Sequence, residues 1–327
     1  AIIAETFFAP GPVGGNCLSL EGPDDENITI RGLSFRGGSD PVGGGLVISN
    51  CSPTLENLII EDNTSEIGGG VYLSNSYSIL NNITVTNNGG NLGGGLYVTG
   101  GAPTLNNVFI ANNIAYWGGG IYLENSNAEI NGCIIRGNEA FIEGAGYFQT
   151  GGDGQINRTS FERNNGFDYG GAIVSYQATI SLNHTTISQN IAGIGSAMSL
   201  HSSVIAIRNS IIWANTGPLF HAPLNSGVSS LDISFSNVEG GENILDDLEN
   251  VAFNSSGPIL DVNPQFCDPV NNQFTLQEGS LCMTASDVSS YIGAFDITCE
   301  NLNLSELAAD DYSYVTNYPN PFNSQTI

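Results

Sequence analysis

Acid–base chemistry on a sugar polymer needs carboxylates, and often a cation, gathered on one surface. In this 327-residue chain the charged groups concentrate in one stretch: Glu139, Glu143, Asp153, Arg158, Glu162, Arg163 and Asp168. A lyase would need a base and a cation beside a uronate carboxylate. A glycosidase would need two converging carboxylates. The catalytic candidates are therefore Glu143, Asp153, Glu162, Arg163 and Asp168, although spacing alone does not bring three of them together. His184 and His201 fall on different faces by register and His221 falls in a loop, so no Ser-His-Asp grouping is expected. Aromatic residues form the other set. Tyr72, Tyr97, Tyr122 and Phe148 recur in one column, and Tyr116, Phe141 and Phe167 in a second, with Trp117 and Tyr169 beside it. Rings of this kind stack on the apolar faces of sugars or anchor a partner protein. They can equally stack on each other and stabilise neighbouring repeats.

The elements that must hold these residues are repeats. Gly-Gly-Gly begins at Gly43, Gly68, Gly93 and Gly118, with degenerate copies at Gly144, Gly170 and Gly195. An apolar column runs through Phe35, Ile60, Val85, Ile110, Ile135, Phe161, Ile187, Ile212 and Val238. Three residues later stands Asn63, Asn88, Asn113, Asn138, Asn164, Asn190 and Asn215. Within a copy, apolar and polar residues alternate with strand periodicity. One copy cannot bury its own apolar face, whereas stacked copies can. A 25-residue coil of short strands fits one rung of a parallel β-helix, each residue about 4.8 Å from its counterpart in the next coil.

The columns then acquire roles. Leu46, Val71, Leu96, Ile121, Ile173 and Met198 should point inward, as should Leu55, Leu80, Leu105, Ile130, Ile156, Leu182 and Ile207. A corner column of Gly32, Asn57, Asn82, Asn107, Gly132, Arg158, His184 and Asn209 suits positive φ. The Asn columns read as structural, with amides hydrogen-bonding along the stack.

The segment Gly118-Gly119-Gly120-Ile121-Tyr122-Leu123-Glu124-Asn125-Ser126 and its copies resemble the right-handed parallel β-helix repeat family with a pectate-lyase-like fold. Asn209-Ser210-Ile211-Ile212-Trp213-Ala214-Asn215 is similar to the last regular rung of bacterial secreted members. So is the stretch from Pro264-Gln265-Phe266-Cys267-Asp268-Pro269 to Ile292-Gly293-Ala294-Phe295. The resemblance spans roughly residues 15–300 and implies the fold. It does not fix an activity, because this fold hosts lyases, hydrolases and adhesins. Asn317-Tyr318-Pro319-Asn320-Pro321-Phe322-Asn323 resembles the opening of a C-terminal sorting domain of type IX secretion substrates, although Ser324-Gln325-Thr326-Ile327 lacks the usual Pro. That likeness implies export by a Gram-negative bacterium through the type IX machinery, to the medium or the cell surface.

Composition narrows the function classes. The chain has 32 acidic residues, six Arg and no Lys, a net charge of −26. It offers no footprint for nucleic acid or anionic membrane, and no Lys chemistry. No apolar run approaches the roughly 20 residues of a membrane-spanning helix. Polyuronates would be repelled unless Ca²⁺ bridged them. The acidic clusters Asp24-Asp25-Glu26 and Asp246-Asp247 could hold Ca²⁺, but a solvated loop is the default reading and no cofactor is expected. Arg36 over Glu61 and Arg136 over Glu162 read as surface ion pairs of small value.

Of six cysteines, none lies in a CxxC, which argues against zinc. Cys133 takes the inward position of Leu58, Ile83 and Val108. Cys267 and Cys282 flank an apparent hairpin and are expected to form a disulfide, which suits an extracellular location. Cys299 is free or joins this group.

The expected architecture is all-β: a right-handed parallel β-helix of about nine or ten coils over 1–240, an irregular cap over 241–300, a linker over 301–312 and a truncated sorting domain over 313–327. The favoured function is a monomeric, non-catalytic, secreted or surface scaffold for adhesion or glycan contact through Tyr72, Tyr97, Tyr122, Phe148, Tyr116, Trp117 and Phe141. The alternatives are a polysaccharide lyase or hydrolase, and a purely structural spacer.

Overall fold

The computed structural model describes residues 6–9, 14–23, 28–246, 248–287, 290–295 and 299. The Asp24 cluster, Asp247, the 301–312 linker and the 313–327 segment lie outside them.

Short alternating strands separated by Gly, Asn and Ser cannot pair within one repeat, so they pair with the same strand of the next. Among the described residues this gives three long parallel sheets. Sheet I has nine strands, from Leu18–Glu21 to Phe220–His221. Sheet II has ten, from Thr29–Arg31 to Val251–Asn254. Sheet III has eleven, from Thr6–Phe8 to Ile259–Leu260. The chain visits I, II and III in turn, which makes it an all-β parallel solenoid. Register carries Leu46 over Val71, Leu96, Ile121, Tyr147, Ile173 and Met198. All seven are sealed in the core, Tyr147 taking the place of the aliphatics in its coil. Cys133 is buried beside Leu58, Ile83 and Val108 in the core, as expected.

Two kinds of turn shape the coil. The glycine three positions before each sheet I strand is left-handed: Gly118 has φ 66°, and a Cβ there would meet Ile121 O at 2.7 Å. The corner between sheets II and III uses Asn57, Asn82, Asn107, Arg158, His184 and Asn209 at φ between 46° and 53°. Amides also hydrogen-bond through Asn81, Asn106, Asn131 and Asn157, and Asn107 donates to Asn82 at the corner, but the fully buried amide stack lies in the Asn63 column. Its members from Asn63 to Asn190 are fully buried, whereas Asn57, Asn82 and Asn107 at the corner are exposed.

Parallel pairing continues past residue 240, through Val251–Asn254 and Ile259–Leu260. Phe253 and Ile259 still pack on the core although the Gly and Asn landmarks have ended. The expected cap divides into two parts. Helix Asn243–Asp246 brings Leu245, with Ile244 and Leu248, onto the core. Described residues between 263 and 295 lie along the outside of sheet III instead, where Phe266, Phe274, Leu276, Cys282 and Ile292 pack around Ile211. They include the antiparallel hairpin of Phe266–Asp268 and Gln273–Leu276.

Two expectations are corrected here. The disulfide joins Cys267 to Cys299, not Cys267 to Cys282. Cys282 is a fully buried thiol in the apolar cluster on sheet III, and burial pushes its pKa up to about 11. The Arg136–Glu162 pair is not a surface pair: Glu162 is 0% exposed. Its column also holds Ser188 and Trp213, which line the seam against the hairpin residues Phe266 and Pro269. No described helix is long and apolar enough to cross a membrane.

Candidate functional site

The charged residues of the middle coils separate onto different faces. Arg158, Glu162 and Arg163 face the C-terminal segment on sheet III. Arg163 Nη2 donates to Pro269 O and Val270 O at 2.7 and 2.8 Å, and Arg158 donates to the Tyr291 hydroxyl. Asp153 begins a sheet II strand, exposed, with its N–H donated to Asn127 Oδ1. Only Glu143 and Asp168 come together, on a fourth sheet.

Sheet IV stacks Ile114–Trp117, Glu139–Glu143, Asn165–Tyr169 and Ile191–Ile194 in parallel. Earlier coils make only isolated bridges here, such as Thr64 with Gly89. In the four coils that form strands, Ala115, Ala140, Gly166 and Ala192 occupy the tight inward side beside the Asn stack. Alternation turns Tyr116, Phe141 and Phe167 outward, 47%, 44% and 57% exposed. Their ring centroids are 5.5 and 5.7 Å apart. Ile114, Ile191 and Ile194 extend the apolar face.

Carboxylates flank it. Glu139 precedes Phe141 by two residues, Glu143 follows it by two, and Asp168 follows Phe167. Glu143 accepts the Tyr176 hydroxyl at 2.8 Å. Burial raises the Glu143 pKa; the Tyr176 hydrogen bond opposes this and the Asp168 charge adds to it. Asp168 is exposed.

The other aromatic column is built differently. Tyr72, Tyr97, Tyr122 and Phe148 stack face to face at centroid spacings of 5.6, 5.1 and 4.7 Å. Val174 then takes the column, and the stack steps sideways to Tyr176 and His201. Ring faces point along the axis and cover one another, so Tyr97 and Phe148 are each only 6% exposed. The Tyr97 hydroxyl is spent on Glu124 Oε2 at 2.7 Å. This rib presents edges to solvent, whereas sugar stacking needs an open ring face. Trp117 sits against Tyr116, its ring tilted and half-buried.

Sequence reasoning missed one constellation. Ser199 Oγ lies 3.1 Å from His201 Nε2 and 3.0 Å from His221 Nδ1. Tyr176 stacks on His201 at 3.8 Å and Tyr169 on His221 at 5.2 Å. Burial lowers both imidazole pKa values, that of His201 to about 4, so both rings are neutral at pH 7. The pairing of Ser199 with His221 spans only 22 residues, so the 25-residue period hides it. Ser199 is fully buried beneath the rings, and the group holds a polar outer position rather than exposing a nucleophile. Among the described residues no cluster of three or more His, Cys, Asp or Glu is arranged to hold a metal.

A stack of equivalent coils with its side chains in unbroken ladders defines a solenoid whose distinctive surfaces are long flanks rather than a single cleft. Residues 44–212, more than half of the chain, match the family described as the right handed beta helix region, and the chain belongs to that family. No curated protein and no solved structure matches it.

Proposed function

We propose that the chain is a non-catalytic β-helix scaffold, exported to the medium or surface of a Gram-negative bacterium, that contacts a glycan through sheet IV. The observation that carries this reading is the exposed row Tyr116, Phe141 and Phe167, with carboxylates along it to accept sugar hydroxyls. Aromatic faces and a few polar groups are what a sugar needs. Export is supported by the Cys267–Cys299 disulfide, which requires an oxidising compartment. It is also supported by the likeness of Asn317–Asn323 to type IX sorting domains. The test is a glycan array with intact protein and with Tyr116→Ala, Phe141→Ala and Phe167→Ala combined. Binding should vanish in the variant with the thermal midpoint kept. Retained binding removes this face from consideration.

One observation favours a second reading, a glycoside hydrolase. Glu143, its pKa raised by burial, stands beside Asp168 on the same aromatic face. Two carboxyl groups flanking one sugar-binding surface are what glycoside cleavage uses. Reducing-sugar release from a polysaccharide panel, lost in both Glu143→Gln and Asp168→Asn, would establish it. No release by the intact protein disposes of it.

A further inference from the structure

The distribution of charge around the solenoid is uneven, and it bears on which glycan sheet IV can take. All six Arg lie on sheets II and III or their corners: Arg31, Arg36, Arg136, Arg158, Arg163 and Arg208. Sheets I and IV contain no Arg and, since the chain has none, no Lys. The titratable bases near this flank are His201 and His221, and burial keeps both neutral at pH 7. What remains beside Phe141 and Phe167 is Glu139, Glu143 and Asp168. We infer that the sheet IV face accepts an amine-bearing, cationic glycan, a proposal that rests on the glycan-contact reading and specifies its ligand.

The chemistry of both components points the same way. Carboxylates beside a low-dielectric aromatic wall focus a negative potential over it. An ammonium group gains from that potential and from the negative ring faces, which attract cations within about 6 Å of the centroid. A uronate polymer is repelled by the same groups, and a neutral glucan gains only stacking. The arrangement also repeats. Phe141 with Glu139 and Glu143, and Phe167 with Asp168, occupy adjacent coils, with centroids 5.7 Å apart. A ligand that repeats along its length can use such units in succession, which a single basic patch on a folded protein cannot.

The discriminating experiment holds the sugar backbone constant and changes only its charge. Glucosamine oligomers, the same oligomers fully N-acetylated, polygalacturonate, a neutral glucan and a small basic protein are titrated against the intact chain at low and high salt. The amine form should bind about tenfold or more tighter than the acetylated form at low salt, a ratio that three charge contacts near the surface can supply. High salt should shrink the ratio. The triple variant Glu139→Gln, Glu143→Gln, Asp168→Asn should bring the amine form down toward the affinity of the acetylated form measured on the same variant. Its near-isosteric changes preserve the fold, checked by circular dichroism and thermal midpoint. Equal binding of amine and acetylated forms, or tighter binding of polygalacturonate, overturns the charge inference but leaves glycan contact standing. Binding of the basic protein with no sugar bound overturns the ligand class. Binding of nothing sinks the contact reading itself.

Discussion

Arg136 Nε donates to Glu162 Oε2 at 2.6 Å in a pair that is almost wholly removed from water. Glu162 Oε1 has no partner and is buried. Burial raises the Glu162 pKa, and the Arg136 charge is the largest influence opposing it. Half of a buried pair is worse than none, because the survivor stays charged and desolvated. Arg136→Ala should therefore cost about 3–5 kcal/mol. Glu162→Ala should cost a similar amount. The double change Arg136→Met, Glu162→Leu should cost far less than the sum. Urea unfolding of the four proteins measures this; additive losses would mean that the two groups do not depend on each other.

Asn113 is one unit of the buried amide stack, and its environment sets the second prediction. Its Oδ1 accepts from the Asn88 N–H at 2.9 Å and from Asn88 Nδ2 at 3.0 Å. Its Nδ2 donates to Val85 O and to Asn138 Oδ1, each at 3.0 Å. Removing the amide leaves several buried groups unsatisfied at about 1–3 kcal/mol each. Asn113→Ala should lower stability by about 3 kcal/mol or more. Asn113→Asp keeps both acceptor contacts but buries a charge and loses the donor. Its loss should be larger at pH 7 than at pH 4, where the carboxyl can protonate. A Gly substitution at the exposed corner, at Asn107 where φ is 53° and Gly132 holds the same place in the next coil, should change stability by under 1 kcal/mol.

These two sites show what was readable in the residues. Repetition made the fold legible, because a ladder needs the same side chain in every coil: the Gly43 series, the Ile60 series and the Asn63 series each name a place in the cross-section. Contacts between unlike parts of the chain leave no such trace. Nothing periodic tells that Pro269 and Val270 supply carbonyls to Arg163, or that Tyr291 reaches Arg158. The charges of the middle coils therefore looked like one cluster when part of it serves the C-terminal segment. Alternation placed Tyr97 and Tyr122 on the outer side. It could not show that stacking at the coil spacing covers their faces, while Tyr116 and Phe141, although in ring contact with their neighbours, stay exposed.

The Cys267–Cys299 disulfide closes a loop with a sequence separation of 32. A loop of this size corresponds to about 3–4 kcal/mol of lost chain entropy in the unfolded state. That stabilisation acts on the segment packed along sheet III, not on the coils beneath it. Cys299→Ser should therefore release the segment at a lower urea concentration than the solenoid, giving two transitions where the oxidised protein gives transitions closer together. Peptide mapping without reduction should recover Cys267 linked to Cys299, with Cys282 alkylated only after unfolding. A Cys267–Cys282 peptide would contradict the structure.

His201 gives the pH dependence its sign. Its imidazole is neutral in the folded chain because burial, and secondarily the nearby His221, lowers its pKa to about 4. In the unfolded chain the value returns to about 6.5. Between those values the unfolded state binds the extra proton and the folded state does not. Stability from this group is thus fully present above pH 6.5 and is lost as pH falls toward 4. His221 acts in the same direction. Glu143 acts oppositely, since burial raises its pKa above the ordinary value and the folded state takes up its proton first as pH falls. The difference between the intact chain and His201→Gln isolates the imidazole, because Gln can still hydrogen-bond Ser199 but does not titrate. Unfolding midpoints measured from pH 7 to pH 4 should fall more steeply for the intact chain than for the variant. Parallel curves would mean that His201 titrates alike in the folded and unfolded chain and that burial does not lower its pKa.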